Sequence, residues 1–251
     1  MDTITTAAQP IHYPESDGKP MAETDVHIDV LIYLREALKD YFRDEPQVYV
    51  AGNMLFYYEE GNPAACVAPD VFVVQGVAKG ERRTYKLWEE GQPPTVVFEI
   101  TSRGSRLEDL GTKRALYAML GVREYFLYDP LGEYLRPPLQ GYRLREGEYE
   151  RMLSGDQGEL ASQALRLELR VEEGQLRVVN PATGERLLTP AEAQAARRAE
   201  AEARQAEAEA RQAEAEARQA AEARAALAES ELERLRVELE RLRGETPPSS
   251  R

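Results

Sequence analysis

Cysteine and histidine are scarce in this chain, and basic residues are outnumbered by acidic ones; each shortage argues against a class of function. A single cysteine, Cys66, in 251 residues excludes an intramolecular disulfide framework and a cysteine-rich zinc site. Two histidines exclude a three-histidine zinc enzyme. No apolar run reaches the roughly 18 residues that a membrane-spanning helix needs. The N-terminus, Met1-Asp2-Thr3, lacks the basic start and apolar core of a secretory signal. A soluble cytoplasmic protein with no membrane partner is therefore expected. The net charge is −13. Residues 191–251 hold 11 Arg and 14 Asp and Glu, so the first 190 keep 21 of the 32 basic and 31 of the 45 acidic residues. An acidic body argues against broad nucleic-acid binding by counterion release, though it leaves room for a local basic groove. It also suits a cluster of carboxylates that awaits a metal ion.

Aromatic residues stop at the same place where the composition changes. Beyond Pro190 there is no Phe, Trp or Tyr, and from Ala199 the unit Ala-Glu-Ala-Glu-Ala-Arg-Gln runs three times, to Gln219. A seven-residue repeat of strong helix formers predicts one long helix. An apolar seam passes through Ala203, Ala206, Ala210, Ala213 and Ala217, then Ala221, Ala225 and Ala228, and ends on Leu232, Leu235, Leu239 and Leu242. Its steps alternate three and four with one stutter, the pattern of a heptad coiled coil, with a solvated single helix as the competing reading. The organisation expected is a flexible segment 1–20, a globular domain 21–189, a coiled-coil helix 190–243 and a disordered tail 244–251.

Before the break the chain reads as α/β. Val26, Val30, Leu31, Leu34, Leu38 and Phe42 share one face of a helix over 26–43. Val48–Val50 and Leu55–Tyr58 flank Gly52-Asn53 and predict a hairpin. Strands are predicted at Val71–Val74, Thr95–Ile100 and Tyr125–Tyr128. A helix over Leu107–Leu120, capped at Gly121, joins the last two as a parallel crossover. Short strands at Tyr142–Arg145, Tyr149–Leu153, Leu165–Val171 and Leu176–Val179 predict a β extension.

Three residues sit where chemistry would be placed. Asp70 opens a strand behind Pro69. Glu99 interrupts the apolar run Val96-Val97-Phe98, and a carboxylate there is costly unless paired or bound to a metal. Lys113 lies on the helix that follows. Two carboxylates and an ammonium suit metal-assisted phosphodiester hydrolysis. The plainer readings are that Asp70 caps a turn and that Lys113 pairs with Asp109 four residues earlier. His27 reads as a surface or capping residue, Cys66 as a packed thiol and Trp88 as a packing anchor. Arg82, Arg83 and Lys86 read as a solvated basic loop that could also touch phosphates.

The run Pro69-Asp70-Val71-Phe72-Val73-Val74, then Val97-Phe98-Glu99-Ile100-Thr101-Ser102, then Asp109, Lys113 and Tyr117-Ala118, then Gly121-Val122-Arg123-Glu124-Tyr125-Phe126-Leu127-Tyr128-Asp129-Pro130, resembles the Uma-two family of restriction-type endonucleases, part of the PD-(D/E)XK nuclease superfamily. The resemblance covers roughly Met21 to Tyr149. It implies an α/β fold with a PD-(D/E)XK-like mixed sheet flanked by helices, here with a small β extension and a long C-terminal coiled-coil helix. It makes Asp70 and Glu99 the metal-binding acids, with Mg²⁺ or Mn²⁺ as cofactor and DNA as substrate. The lysine usual two residues after the second acid is absent, because Thr101 stands there, and the resemblance moves that role to Lys113. Glu23 is the candidate for a further metal-binding acid from the first helix. The function implied is a metal-dependent DNA endonuclease, joined as a homo-oligomer by the C-terminal coiled coil. The competing reading is a catalytically weak or inactive nuclease fold that serves as a coiled-coil interaction or regulatory module.

Overall fold

The computed structural model describes residues 11–16, 18, 24–156 and 158–244, the last three as backbone only. Glu23 and the segments 1–10 and 245–251 lie outside the described residues, as does the side chain of Leu242. The chain divides into two units, Met1–Glu192 and Ala193–Arg251.

In the first unit, α1 (Asp25–Tyr41) starts on Thr24, whose hydroxyl accepts the His27 N–H at 3.3 Å. Its three-to-four spacing buries Tyr33, Leu34, Ala37 and Leu38 along one stripe. Then come β1 (Val48–Gly52), β2 (Phe56–Tyr57), β3 (Cys66–Val67), β4 (Val71–Gln75), β5 (Tyr85–Lys86) and the single turn α2 (Leu87–Glu90). They are followed by β6 (Val96–Ile100), α3 (Arg106–Leu110), α4 (Thr112–Met119), β7 (Glu124–Tyr128), β8 (Leu139–Arg145), β9 (Glu148–Arg151), β10 (Leu160–Ser162), β11 (Leu167–Glu172) and β12 (Gln175–Val179). The main sheet has the order β1-β4-β6-β7-β8-β9, with β6 and β7 parallel and every other neighbour antiparallel. Two smaller sheets have the orders β3-β2-β5 and β10-β11-β12.

The central strands are buried on both faces, so they read as continuous apolar runs rather than alternating ones. Val71, Val73, Val96, Phe98 and Phe126 pack with Leu34 and Leu38 of α1 and with Leu167 and Leu169 of β11. Phe72, Val74, Val97, Tyr125 and Leu127 pack on the opposite face with Tyr117 of α4 and Val122. This second face carries the site described below.

Two local expectations fail. The hairpin at Gly52-Asn53 does not form. Asn53 turns with φ 49°, but its N–H reaches the carbonyls of Pro69 and Asp70, and β1 pairs with β4 while β2 pairs with β3 and β5. Long-range burial of an apolar strand outweighs the local turn signal. The helix expected over Leu107–Leu120 is broken at Gly111, which adopts φ −119° and ψ −90°. A Cβ there would lie 2.9 Å from the Leu107 carbonyl oxygen, so only glycine fits the break. The break exposes the Asp109 carbonyl to the Tyr125 hydroxyl, which donates to it at 2.9 Å. At the far end Gly121, at φ 79°, closes α4, with the Val122 N–H donating to the Tyr117 carbonyl.

The helix α5 (Pro190–Gly244) has 55 residues and would be about 80 Å long. It opens on a capping box: the Glu192 N–H donates to Thr189 Oγ1 at 3.2 Å, and the Thr189 N–H to Glu192 Oε2 at 2.8 Å. Pro190 takes the first helical position, where no N–H is needed. In the repeats Arg204, Arg211 and Arg218 pair with Glu200, Glu207 and Glu222, each one turn away. Leu232, Leu235 and Leu239 are exposed.

Candidate active site

Antiparallel pairing sets the two acids side by side. Val71 lies opposite Phe98, so Asp70 and Glu99 come next along the two chains, on the face that carries α4. The Ile100 N–H donates to Asp70 Oδ2 at 2.6 Å and locks the carboxylate to the end of β6. Glu99 is 1% exposed. The Tyr117 hydroxyl donates to its Oε1 at 2.6 Å, and Lys113 Nζ donates to its Oε2 at 2.9 Å. Tyr117 and Lys113 are one turn apart on α4, so a single helix face delivers both donors. Lys113 Nζ also lies 3.2 Å from Asp109 Oδ1, and Ser105 Oγ donates to Asp109 Oδ2 at 2.7 Å. His27, at the first turn of α1, brings Nε2 to 3.4 Å from Asp70 Oδ1.

The charges do not balance. Three carboxylates, Asp70, Glu99 and Asp109, share the ammonium of Lys113, with a histidine at the edge. Burial pushes the Glu99 carboxyl up to about 8, Asp70 and Asp109 add to the rise, and Lys113 opposes it. Burial also raises Asp109, against the pull of Lys113 and Ser105. For Lys113 burial works against the charge, yet Glu99, Asp109 and Asp70 outweigh it and hold the ammonium above its ordinary range. Tyr117 is raised well above its ordinary range by burial and by Glu99, so it stays a donor.

The structure therefore brings Asp70, Glu99 and Lys113 together. The pairing of Lys113 with Asp109 and its contact with Glu99 coexist, so the two sequence readings of that lysine are not alternatives. His27 is a correction: it is buried, at 7% exposure, and faces Asp70 instead of solvent. Tyr117 and Ser105 have no role in the sequence reading. A tyrosine one turn after a lysine on a short amphipathic helix was the available signal for the first. Thr101 is buried, and its hydroxyl makes no hydrogen bond among the described residues. The basic loop is less solvated than expected. Arg82 makes a two-pronged pair with Glu90, with its guanidinium carbon 4.2 Å from the Tyr49 ring centre, Arg83 pairs with Glu15, and Lys86 pairs with Glu89. Trp88 packs on Tyr13, and Cys66 is half-buried.

The donors fit a hard divalent cation in chemistry and in charge. Carboxylate oxygens are the ligands that Mg²⁺ prefers, and a divalent ion would offset the excess negative charge. Among the described residues no three His, Cys, Asp or Glu side chains form a ready cage. Mg²⁺ commonly uses one or two carboxylates and completes its shell with water and substrate phosphate, so two carboxylates such as Asp70 and Glu99 would be enough ligands from the protein.

A family model, Uma2, described as "Putative restriction endonuclease", matches residues 5–188. The chain belongs to the Uma2 family. Every residue of the cluster lies inside the Uma2 match, and α5 lies outside it. Membership gives the chain a nuclease-type function at the level of the family, within a group of nucleases that generally use divalent metals. No curated protein matches the chain. A solved structure similar to it is that of "a putative nuclease belonging to DUF820" from Anabaena variabilis, with 13% identity over 59% of this chain and 76% of that one, at a TM-score of 0.43. Among the described residues no helix is long and apolar enough to cross a membrane.

Proposed function

We propose that this Uma2 protein is a metal-dependent endonuclease that hydrolyses DNA phosphodiester bonds, with Asp70, Glu99 and Lys113 as its catalytic residues. One observation carries the reading: Lys113 Nζ, delivered from α4, lies 2.9 Å from Glu99 Oε2, so the ammonium missing at Thr101 reaches the same carboxylate from another element. Asp70 and Glu99 would hold Mg²⁺ or Mn²⁺. When bound, such an ion polarises the phosphate and lowers the pKa of water. Lys113 cannot serve as a general base near neutrality, because the surrounding carboxylates keep it protonated. Its role is to orient the attacking water by donating to a lone pair, and to offset negative charge on the phosphate. Tyr117 positions Glu99 by donating to the oxygen that Lys113 leaves open. The Ile100 N–H fixes one oxygen of Asp70, and His27 Nε2 lies 3.4 Å from the other. We assign α5 to a homo-oligomeric coiled coil, which would present two cores to the two strands of a duplex.

A second reading, a catalytically inactive fold used as an interaction module, is favoured by the full engagement of both Glu99 oxygens by Tyr117 and Lys113. Nicking of supercoiled DNA with Mg²⁺ or Mn²⁺, beside Asp70→Ala and Glu99→Gln, separates the two. Cleavage by the native chain that disappears in both variants is the expected result. Cleavage that persists in either variant, or none with either metal, would overturn the assignment.

A further inference from the structure

One groove departs from the acidic character of the body. It has a volume of about 840 Å³ and lies beside β1, an edge strand of the main sheet. Arg35 and Lys39 of α1, with Arg43 just past its end, form one wall. Lys79, Arg82 and Arg83 form the other, and the only acid in the lining is Glu81. Six of the 21 basic residues in the first 190 thus line one groove.

The first wall has a regular spacing. Residues 35, 39 and 43 follow each other every four positions, about 6 Å of helical rise per step and about 12 Å in all. One strand of a duplex presents a phosphate about every 3.4 Å along the axis, so this row spans three or four phosphates. Lys39 has no carboxylate at ion-pair distance among the described residues. Burial, and after it the neighbouring Arg35, lower its pKa, and Glu36 opposes them. Arg35 pairs with its neighbour Glu36, Arg43 with Asp40 and Asp44, and Arg83 with Glu15. These pairs are largely exposed, contribute little and exchange readily for a phosphate. Arg82 and Lys79 have a different part. Arg82 is held by Glu90 over the Tyr49 ring, and Lys79 Nζ donates to the carbonyls of Phe42 and Arg43 at 2.6 and 2.7 Å. They shape the wall.

The groove also leads to the cluster. Gly52 stands at its end, where a Cβ would lie 2.8 Å from the Asp70 carbonyl oxygen and 3.2 Å from Arg35 Cδ. Two turns earlier on α1, His27 faces the Asp70 side chain. Along α1 the order is His27, Arg35, Lys39, Arg43, from the carboxylates outward. We infer that this groove is a track for the phosphodiester backbone of a nucleic-acid strand, led along α1 and the β1 edge to Asp70. The destination rests on the nuclease reading, but the binding does not require cleavage.

The test measures binding of a short fluorescent DNA duplex, and of its single strand, to the full chain in EDTA across about 50 to 200 mM KCl. A triple variant, Lys39→Gln with Arg43→Gln and Arg83→Gln, is compared with a control, Arg123→Gln with Arg145→Gln and Arg151→Gln, near the opposite edge at β9. Thermal unfolding checks that both stay folded. The groove variant should bind about tenfold more weakly or worse, and the slope of log K against log salt should fall by about two to three, or roughly 0.7–0.9 per lost contact. The control should match the native chain. An unchanged slope in the groove variant overturns the inference, as does a native chain that binds anionic vesicles through this groove and no DNA. If the native chain binds through the groove yet never cleaves, the nuclease reading falls and the groove stands. If Asp70→Ala abolishes cleavage while groove variants bind normally, the reverse holds.

Discussion

Replacing Lys113 with alanine removes the one ammonium among three carboxylates. A surface pair at this helical spacing is worth a few tenths of a kcal/mol. Lys113 is different, because its partners Glu99 and Asp109 are each 1% exposed. Deleting one partner of a buried pair costs about 3–5 kcal/mol through the charge left behind. The lysine side chain is 16% exposed, and its partners can take up protons, so we expect the lower end, about 3 kcal/mol near pH 9.5.

The loss should depend on pH. Burial already raises both carboxyls above their ordinary values, and Lys113 lowers both. Without it they rise further. A carboxyl raised in the folded state gives stability that is fully present below its unfolded pKa and is lost as pH rises through the folded value. Relative to the native chain, the loss tied to Glu99 should therefore begin as pH rises through the native value of about 8, so Lys113→Ala should lose little at about pH 6 and progressively more towards about pH 9.5, at no more than about 1.4 kcal/mol per pH unit for each proton involved. Urea unfolding of both proteins in EDTA at the two pH values gives the difference. A loss below about 1 kcal/mol that does not change with pH would refute the buried-cluster account. Lys113→Arg keeps the charge and replaces a compact ammonium with a planar fork, so it should stay folded while cleavage falls.

Tyr117→Phe removes the donor 2.6 Å from Glu99 Oε1 and leaves that oxygen buried, which should cost about 1–3 kcal/mol. Because the hydroxyl lowers the Glu99 pKa, the acid limb of the cleavage pH profile should also move to higher pH. A profile that does not move would show that Tyr117 only packs. For α5, light scattering of the full chain should give a multimeric mass that falls to the monomer in Leu235→Glu with Leu239→Glu, with helicity by circular dichroism largely kept. A monomeric native chain would leave α5 a single helix held by its Glu–Arg pairs.

The parts of this protein legible in its sequence are those whose signal is local or whose cost is large. β4, β6 and β7 read as largely apolar runs because both their faces are covered, and Glu99 inside β6 and Asp70 just before β4 stand out because a buried carboxylate there needs a partner. Lys113 is a candidate from its place on the helix after Glu99, and the resemblance adds to that reading, since its helical spacing alone also fits a pair with Asp109. What stayed hidden depends on chain segments far apart. Gly52-Asn53 has the chemistry of a hairpin turn, but the Asn53 N–H is claimed by carbonyls 16 and 17 residues on. The apolar period runs through Gly111 without interruption, so the break there is visible only in the backbone. His27 gains its burial only when the start of α1 meets the start of β4. The spacing of Arg35, Lys39 and Arg43 is plain in the sequence, but their opposition to Lys79 and Arg83 is made by the fold.

The acidic cluster and the basic groove constrain each other. A phosphodiester backbone held along the groove by Arg35, Lys39 and Arg43 would meet the carboxylates of Asp70, Glu99 and Asp109 beyond its Gly52 end, and Lys113 would offset only one of these charges when all are ionised. Without a divalent cation the backbone would be attracted along α1 and repelled where the bond would break. Metal should then affect the two halves of the process differently. Binding through the groove should persist in EDTA with its full salt slope, whereas cleavage should require the cation at Asp70 and Glu99. If binding itself needed the metal, to the same degree as cleavage, the groove would not be an independent source of affinity, and the separation of track from catalytic centre would be wrong.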